Sequence, residues 1–446
     1  MTVITRFAPS PTGEMHVGNV RTALHNWLFA RHMGGTCLLR IDDTDTARSQ
    51  ERFVDGIRAD LDWLGLTMDG AVRQSERFAL YEARFEALRA AGRVYPCYET
   101  AQELELRRKV LLGRGLPPVY DRAALSLTAD RIAAYAAQGV APHWRFRLDH
   151  DAPIEWTDLV RGPQHFEPHL LSDPVIRRAD GSWLYMLPSV IDDIDMGVTH
   201  IVRGEDHVSN TATQLQMFGA LGGTAPTLAH SALLVGSEGK LSKRLGSLGM
   251  AALREAGIEP IALCALLARL GTSDPVEPVI DMAPLVAAFD FAHFGRAPAR
   301  FAEEELAGLN QKIVHMLPYA AVADRLPPAV TQAAWPVVQP NLATVAEAAD
   351  WAPVLAGEIA TPTLSDEDRA YLAIAVAVLA DLDWTTDPWQ ALTATLKGMT
   401  GRKGKPLFLP LRLALTGVDH GPDMARLLPL IGRERALDRL RQATDT

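Results

Sequence analysis

The sequence predicts an α/β chain: a parallel nucleotide-binding sheet, interrupted by an inserted domain and followed by an all-helical C-terminal region. Three observations predict it. Residues 3–41 run strand, loop, helix, strand; the stretch 93–185 breaks that rhythm with mixed short elements; and from residue 251 onward the pattern is almost wholly helical.

VITRF (3–7) has strand length and ends at APSPTG (8–13), where two prolines and a glycine dictate a fixed loop. A helix starts near Gly18, with Val20, Leu24, Trp27 and Leu28 at helical spacing, and Gly34 and Gly35 stop it. Residues 37–41 make a second apolar run of strand length. This βαβ order seeds a parallel sheet with ligand sites at its strand ends. Helical patterns recur at 51–65 (Phe53, Ile57, Leu61, Leu64) and at 77–91 (Tyr81, Phe85, Leu88). After the interruption, 189–193 and 200–203 have buried-strand character. The helical half covers 258–270, 303–316, 342–356, 366–380 and 422–442, and its proline-rich joints at 326–340 and 359–363 predict hinges or linkers. Trp27, Trp63 and Trp351 sit on apolar helical faces, as core residues do. No internal repeat or low-complexity tract is evident.

A chain of 446 residues exceeds what one hydrophobic core organises, so roughly two to four domains are expected. With 48% apolar and 22% charged residues, its composition is that of a soluble globular protein. Arg6 stands where a signal peptide would be most apolar. The longest apolar run, 370–380, is far short of the roughly 20 residues that span a bilayer, so no membrane role is expected. Cys37, Cys97 and Cys264 lie far apart with no CxxC pair, which favours buried thiols in a reducing cytoplasm over disulfides or zinc. The net charge of −10 argues against a protein that only coats phosphate backbones. It leaves room for a local basic stripe.

The common phosphate loops, GxxxxGK[ST] and GxGxxG after the first strand, are absent, so a nucleotide needs another holder. Two segments qualify. The first is PSPTGEMHVGN (9–19), between a strand and a helix N-terminus, where free N–H groups and the helix dipole attract anions. There His16 can donate to phosphate and Gly18 admits close approach, although an HxG turn serves equally as structure. The second is GKLSKR (239–244), whose three cations could neutralise a triphosphate as charge builds on its leaving group. Alone, it also fits a solvated surface run.

Together the two segments resemble the HIGH and KMSKS signatures of class I aminoacyl-tRNA synthetases: HVGN (16–19) and KLSKR (240–244), in that order. The resemblance is closer to the bacterial type of glutamyl-tRNA synthetase. RFAPSPTG (6–13), RTALHNWLFAR (21–31), RIDDTD (40–45), the stretch ending GVTHIVRGEDH (197–207), KLSKR and GRKGKPLFLPLRLALTG (401–417) all match its blocks.

That resemblance implies a Rossmann-type catalytic domain (1–73 and 186–240) and a connective insertion (74–185) for the tRNA acceptor end. It implies a junction domain (241–305) carrying KLSKR and a helical anticodon-binding region (306–446). It also implies site residues. Arg6, Ala8, Ser10, Asp42, Tyr185, Ser189 and Arg203 would hold L-glutamate, the guanidinium groups meeting carboxylates in paired hydrogen bonds. Pro9, Ser10, Thr12, Gly13, His16, Gly18, Glu205, Ser242, Lys243 and Arg244 would hold ATP, taken with Mg2+. His16, Gly18, Lys240 and Lys243 would carry the catalytic work. Glu205, Asp206 and His207 fit ribose or substrate, and fit surface polarity equally.

Two positions depart from the family. Asp42 stands where the family has glutamate, one methylene longer, and Ser189 where some relatives have asparagine. The zinc site that some relatives build from a CxC pair, a Cys and a His is reduced here to Cys97 and Glu99, so no zinc is expected. Arg402, Lys403, Lys405 and Arg412 fit either tRNA backbone contact or a solvated loop. The implied enzyme is a cytoplasmic monomer that forms glutamyl-AMP and charges tRNA-Glu, tRNA-Gln or both. The alternatives are an enzyme that glutamylates a modified base of tRNA-Asp, which would lack a helical anticodon region, and a non-catalytic tRNA-binding paralogue, which would be expected to lose His16, Lys243 or Arg6.

Overall fold

The computed structural model describes residues 2–236, 239–240, 249–384 and 387–445. These form two compact units, one of residues 1–253 and 263–302, the other of 254–262 and 303–446.

In the first unit, strand β1 (Ile4–Phe7), helix α1 (Val17–His32) and strand β2 (Thr36–Ile41) realise the expected βαβ motif, with β1 and β2 parallel. Gly35 is required where α1 hands over to β2: a β-carbon there would stand 2.2 Å from the Val3 carbonyl oxygen. Helix α2 (Glu51–Trp63) leads to β3 (Gly70–Arg73), parallel to β2. Helix α3 (Phe78–Ala90) follows, burying Tyr81, Phe85 and Leu88.

The interruption contains β4 (Val94–Cys97), α4 (Ala101–Gly113), α5 (Ala129–Ala137), β5 (His143–Phe146), the hairpin β6 (Ile154–Asp158) and β7 (Gly162–Phe166), and β8 (Val175–Arg177). Strands β4, β5 and β8 make their own antiparallel sheet. The hairpin β6–β7, which lies within the expected insertion, instead joins the other sheet.

Helix α6 (Met186–Asp195), β9 (His200–Gly204), α7 (Val208–Ala220) and β10 (Thr227–Ser231) follow, and β10 pairs in parallel with both β9 and β6. Thr199 stitches β9 to β1: its N–H donates to the Ile4 carbonyl and its hydroxyl accepts from the Ile4 N–H. The three-stranded sheet β3-β2-β1 and the four-stranded sheet β9-β10-β6-β7 thus meet at β1 and β9, and strand order runs outward in opposite directions from that join. A crevice opens at such a switch point in open α/β sheets.

One element differs from expectation. Residues 189–193, anticipated as strand, lie inside α6. Nearly all of α6 is buried, including Asp192 and Asp193. Five residues are too few for period to separate helix from strand, and of these only Val190 and Ile191 are apolar.

Strands β11 (Leu234–Gly236) and β12 (Gly239–Lys240) pair antiparallel, and β11 also pairs with β13 (Ala299–Arg300). Helices α8 (Met250–Glu255), α9 (Pro260–Arg269) and α10 (Ala283–Ala287) lie between β12 and β13.

The second unit is helical: α11 (Glu303–Val314), α12 (Tyr319–Val322), α13 (Trp335–Val338), α14 (Ala352–Ala356), α15 (Asp366–Asp381), α16 (Pro388–Thr400), α17 (Lys405–Thr416), α18 (Met424–Ile431) and α19 (Arg433–Asp445). Gly432 divides the expected 422–442 helix into α18 and α19. Within 326–340, expected as a hinge or linker, Val330, Ala334, Trp335, Val337, Val338 and Gln339 are buried. Trp335 is fully buried with its indole N–H on the Leu317 carbonyl, and Gln339 donates to Val314 and Leu317. Truncating such a tryptophan typically costs about 3–5 kcal/mol.

Candidate active-site cleft

The described residues enclose a cleft of about 1480 Å³ at the C-terminal ends of β1 and β9. That exceeds the roughly 300–1,000 Å³ of a single small-molecule site and suits more than one substrate. Arg6, Ala8, Pro9, Ser10, Thr12, Gly13, His16, Gly18, Asp42, Tyr185, Ser189, Arg203 and Glu205, separated by up to two hundred residues in sequence, all line it.

The loop after β1 is pinned at two carbonyls: Pro9 accepts from the Asp42 N–H at 2.9 Å and Pro11 from the Gln50 N–H at 3.1 Å. His16 then caps α1. Its Nδ1 accepts from the Gly18 N–H at 3.0 Å, and the Asn19 side chain accepts from the His16 N–H at 3.2 Å, a reciprocal capping box. Burial lowers the His16 pKa, so the ring is neutral at pH 7. With Nδ1 accepting, the proton sits on Nε2, and no described residue takes it. His16 therefore offers a donor to the cleft beside a helix N-terminus.

At the other end, charges are paired. Arg6 Nε donates to Asp193 at 3.0 Å, and Arg40 reaches the same carboxylate oxygen at 2.8 Å. Arg40 also grips Asp42 with two bonds, 2.6 and 3.1 Å, and reaches the Ser189 carbonyl and hydroxyl at 3.2 Å each. Burial works against the Arg40 charge, but Asp42 and Asp193 outweigh it and raise its pKa. Burial raises the Asp42 pKa and the Arg40 guanidinium opposes the rise; its oxygens are held from one side, with lone pairs to spare for an ammonium group.

Arg203 differs. Its acceptors are His230, Thr211 and Gln214, all neutral side chains, and its Nη1 has no protein partner among the described residues. Burial, and then Arg6, pull its pKa down to about 10, so it remains charged at neutral pH. It is a partly buried guanidinium on the cleft wall that makes no ion pair with a carboxylate among the described residues.

Glu205 is less available than expected. One of its oxygens accepts from the Leu233 N–H at 3.1 Å and the other from Arg161 at 2.5 Å, so it anchors the β10–β11 connection. Tyr185 stands at the rim, edge-on to His207 with ring centroids 6.2 Å apart.

Ser242, Lys243 and Arg244 lie outside the described residues, and of Lys240 only the backbone, in β12, is described. Both flanks of that segment are placed, however. Lys240 pairs with Val235, which lines the cleft, and Gly249 forms a β-bridge with His16 itself.

Arg402 and Arg412 belong to the second unit's own structure: Arg402 pairs with Glu367 and Asp368, and Arg412 donates to the Pro422 carbonyl. Lys403 and Lys405 are exposed. Around Cys97, the ligand atoms of Cys97, Glu99 and His143 lie within 4.8 Å of one another, and the Tyr120 hydroxyl donates to Glu99 at 2.7 Å.

Sequence reasoning missed Arg40, Asp193 and Arg21. Arg21 lines the cleft from α1 and donates to the Ala232 and Leu270 carbonyls. Arg40 could have been found: it lies near the end of β2 and Asp42 one residue past that end, an i, i+2 spacing that puts both on one face of extended chain.

A model of the catalytic domain of class I tRNA synthetases (E and Q) matches residues 2–307, and one of an anticodon binding domain matches residues 311–444. The chain is 70% identical over 443 residues to "Glutamate--tRNA ligase 2" of Sphingopyxis alaskensis, and 67% identical over 441 residues to "Glutamate--tRNA ligase 1" of Rhizorhabdus wittichii, covering 99% of both chains in each case. A crystal structure of a glutamate tRNA ligase from Elizabethkingia meningosepticum, in complex with its amino acid, superposes with a TM-score of 0.87 at 27% identity over 100% of both chains.

Proposed function

Because the chain belongs to the class I tRNA synthetases of the glutamate and glutamine type, we propose that it joins L-glutamate to AMP at ATP's expense and passes the glutamyl group to the 3′-terminal adenosine of tRNA-Glu, tRNA-Gln or both. It acts as a cytoplasmic monomer in this reading. The observation that carries it is the guanidinium of Arg203, held by neutral acceptors with one amino group that has no protein partner among the described residues. A cation so placed calls for an anion, and glutamate brings two carboxylates.

Arg203 and Arg6 receive the carboxylates, and Asp42 receives the ammonium group, with Ser10 and Tyr185 lining the same cleft. His16 donates from Nε2 to a phosphate of Mg-ATP bound across the α1 N-terminus. The glutamate α-carboxylate then attacks the α-phosphorus. A carboxylate–phosphorus bond forms, the bond to the leaving diphosphate breaks, and both partners are anionic. Catalysis therefore comes from positioning and from cations on the leaving group, Lys240 and Lys243 among them. In the second step the 2′-hydroxyl of the terminal adenosine attacks the mixed anhydride, and AMP leaves. No side chain acts as covalent nucleophile.

Glutamate-dependent exchange of diphosphate into ATP, run with and without tRNA, tests the first step, and charging of the two purified tRNAs tests the partner. No glutamate-dependent exchange under either condition would contradict the proposal. Structural zinc has no part in it, since a single thiol and a Glu99 already bonded to Tyr120 make a poor tetrahedral set. One zinc per chain on metal analysis would overturn that point.

A further inference from the structure

Behind Arg203 lies a buried pair that the steps above do not use. Asp158 ends β6 and His230 lies on β10, and both side chains are fully shielded from solvent. One Asp158 oxygen accepts three backbone N–H groups, from Val160 at 3.0 Å, Arg161 at 2.9 Å and His230 at 3.1 Å. The other oxygen takes His230 Nδ1 at 2.5 Å. Burial alone would raise the Asp158 pKa, but His230 and the backbone donors outweigh it, so the carboxylate stays ionised. Burial also keeps the His230 ring neutral. The ring's single proton therefore sits on Nδ1, facing Asp158, and Nε2 is an acceptor.

That acceptor meets Arg203. Arg203 Nε donates to His230 Nε2 at 3.3 Å, while its Nη2 donates to the Thr211 hydroxyl at 2.5 Å and to Gln214 at 2.8 Å. The Thr211 hydroxyl also lies 2.9 Å from His230 Nε2. One edge of the guanidinium is thus fixed to the scaffold, and Nη1 is left for the cleft. A carboxylate in place of the imidazole would fix the group as well but would neutralise the charge a carboxylate substrate needs.

We propose that His230, oriented by Asp158, is a positioning residue that sets the plane of the Arg203 guanidinium without neutralising it, and thereby sets the affinity for glutamate. The inference rests on the reading of Arg203 as a ligand for a substrate carboxylate.

The test is diphosphate exchange with saturating tRNA on four variants, Arg203→Ala, His230→Leu, His230→Gln and Thr211→Val, with folding checked by thermal melting. His230→Leu and Thr211→Val should each raise the glutamate KM by roughly tenfold, the loss of one hydrogen bond to a charged group. The KM for ATP should stay within about twofold. His230→Gln, whose amide offers both a donor and an acceptor, should recover most of the lost affinity. Should His230→Leu fail to fold, Thr211→Val carries the same comparison. Equal rises in both KM values would mean general structural damage and overturn the proposal. A raised glutamate KM in Arg203→Ala but in neither His230→Leu nor Thr211→Val would overturn it while leaving the reading of Arg203 intact. An unchanged glutamate KM in Arg203→Ala would overturn the reading itself.

Discussion

The Gly18 N–H donates to His16 Nδ1 at 3.0 Å, and a β-carbon at position 18 would stand 2.8 Å from His16 Cε1. The space beside Gly18 is therefore filled by the imidazole that the turn exists to present. Gly18→Ala should push the ring off its cap. We expect about 1 kcal/mol of lost stability from the cap. We also expect a fall of roughly tenfold to a hundredfold in diphosphate exchange from the misplaced donor, with a raised KM for ATP. Unchanged exchange kinetics would mean that His16 does not touch the nucleotide.

His25 gives a pH signature of stability. It is fully buried on α1, edge-on to Phe294 at 4.9 Å, with Nε2 on the Leu267 carbonyl at 3.3 Å. Burial, and then Arg21, hold its pKa well below the ordinary 6.5. Below pH 6.5 the unfolded chain takes up a proton that the folded chain refuses, so stability falls as pH drops from 6.5 toward the folded pKa. The loss is up to about 1.4 kcal/mol per pH unit for each such group. Denaturant unfolding at pH 7.5, 6.5 and 5.5 should show that slope, and His25→Phe should make it less steep, the other buried histidines keeping the rest. An identical slope in the variant would remove His25 as a contributor.

Much of this was legible in the sequence, for physical reasons. The βαβ start was readable because Val20, Leu24, Trp27 and Leu28 fall at helical spacing and glycines end α1, and spacing plus punctuation are what local sequence encodes. Helix α6 was not legible as a helix because the five residues 189–193 are too few to show a 3.6-residue period. The segment around Trp335 reads as a hinge because prolines mark joints, whereas Pro336 here occupies the first turn of α13, a position a helix tolerates. Asp193 could be quoted in a motif but not assigned to Arg6 and Arg40, since that pairing joins three elements across more than 150 positions. Glu205 looked like a ribose ligand because sequence does not reveal that Arg161 and Leu233 already occupy its oxygens.

Lys243 belongs to a segment whose two flanks, Lys240 and Gly249, are both held at strand pairings next to the cleft. Its ammonium group is expected on the leaving diphosphate, where charge grows in the transition state. Lys243→Ala should therefore raise the activation barrier by roughly 2–4 kcal/mol, as removal of other electrostatic stabilisers does. Pre-steady-state formation of glutamyl-AMP on the tRNA complex reads this directly. Normal turnover in the variant would remove the lysine from the mechanism.

The basic cluster after α16 should divide into two kinds of residue. Arg402 pairs with Glu367 and with Asp368 at 2.9 and 2.5 Å, lies over the Tyr371 ring at 4.4 Å, and is only 12% exposed. It ties the 401–404 turn to the N-terminus of α15, so Arg402→Ala should destabilise the helical unit by about 2 kcal/mol through lost charge-assisted bonds. Lys403 and Lys405 are exposed and suit phosphate contact. Lys403→Ala and Lys405→Ala should leave thermal melting unchanged, weaken tRNA binding, and each lower the slope of log affinity against log salt by about 1. Filter binding across a salt series, beside melting curves, separates the two classes. If Lys405→Ala leaves both affinity and salt slope unchanged, that lysine is a solvated surface group and the tRNA path lies elsewhere on the helical unit.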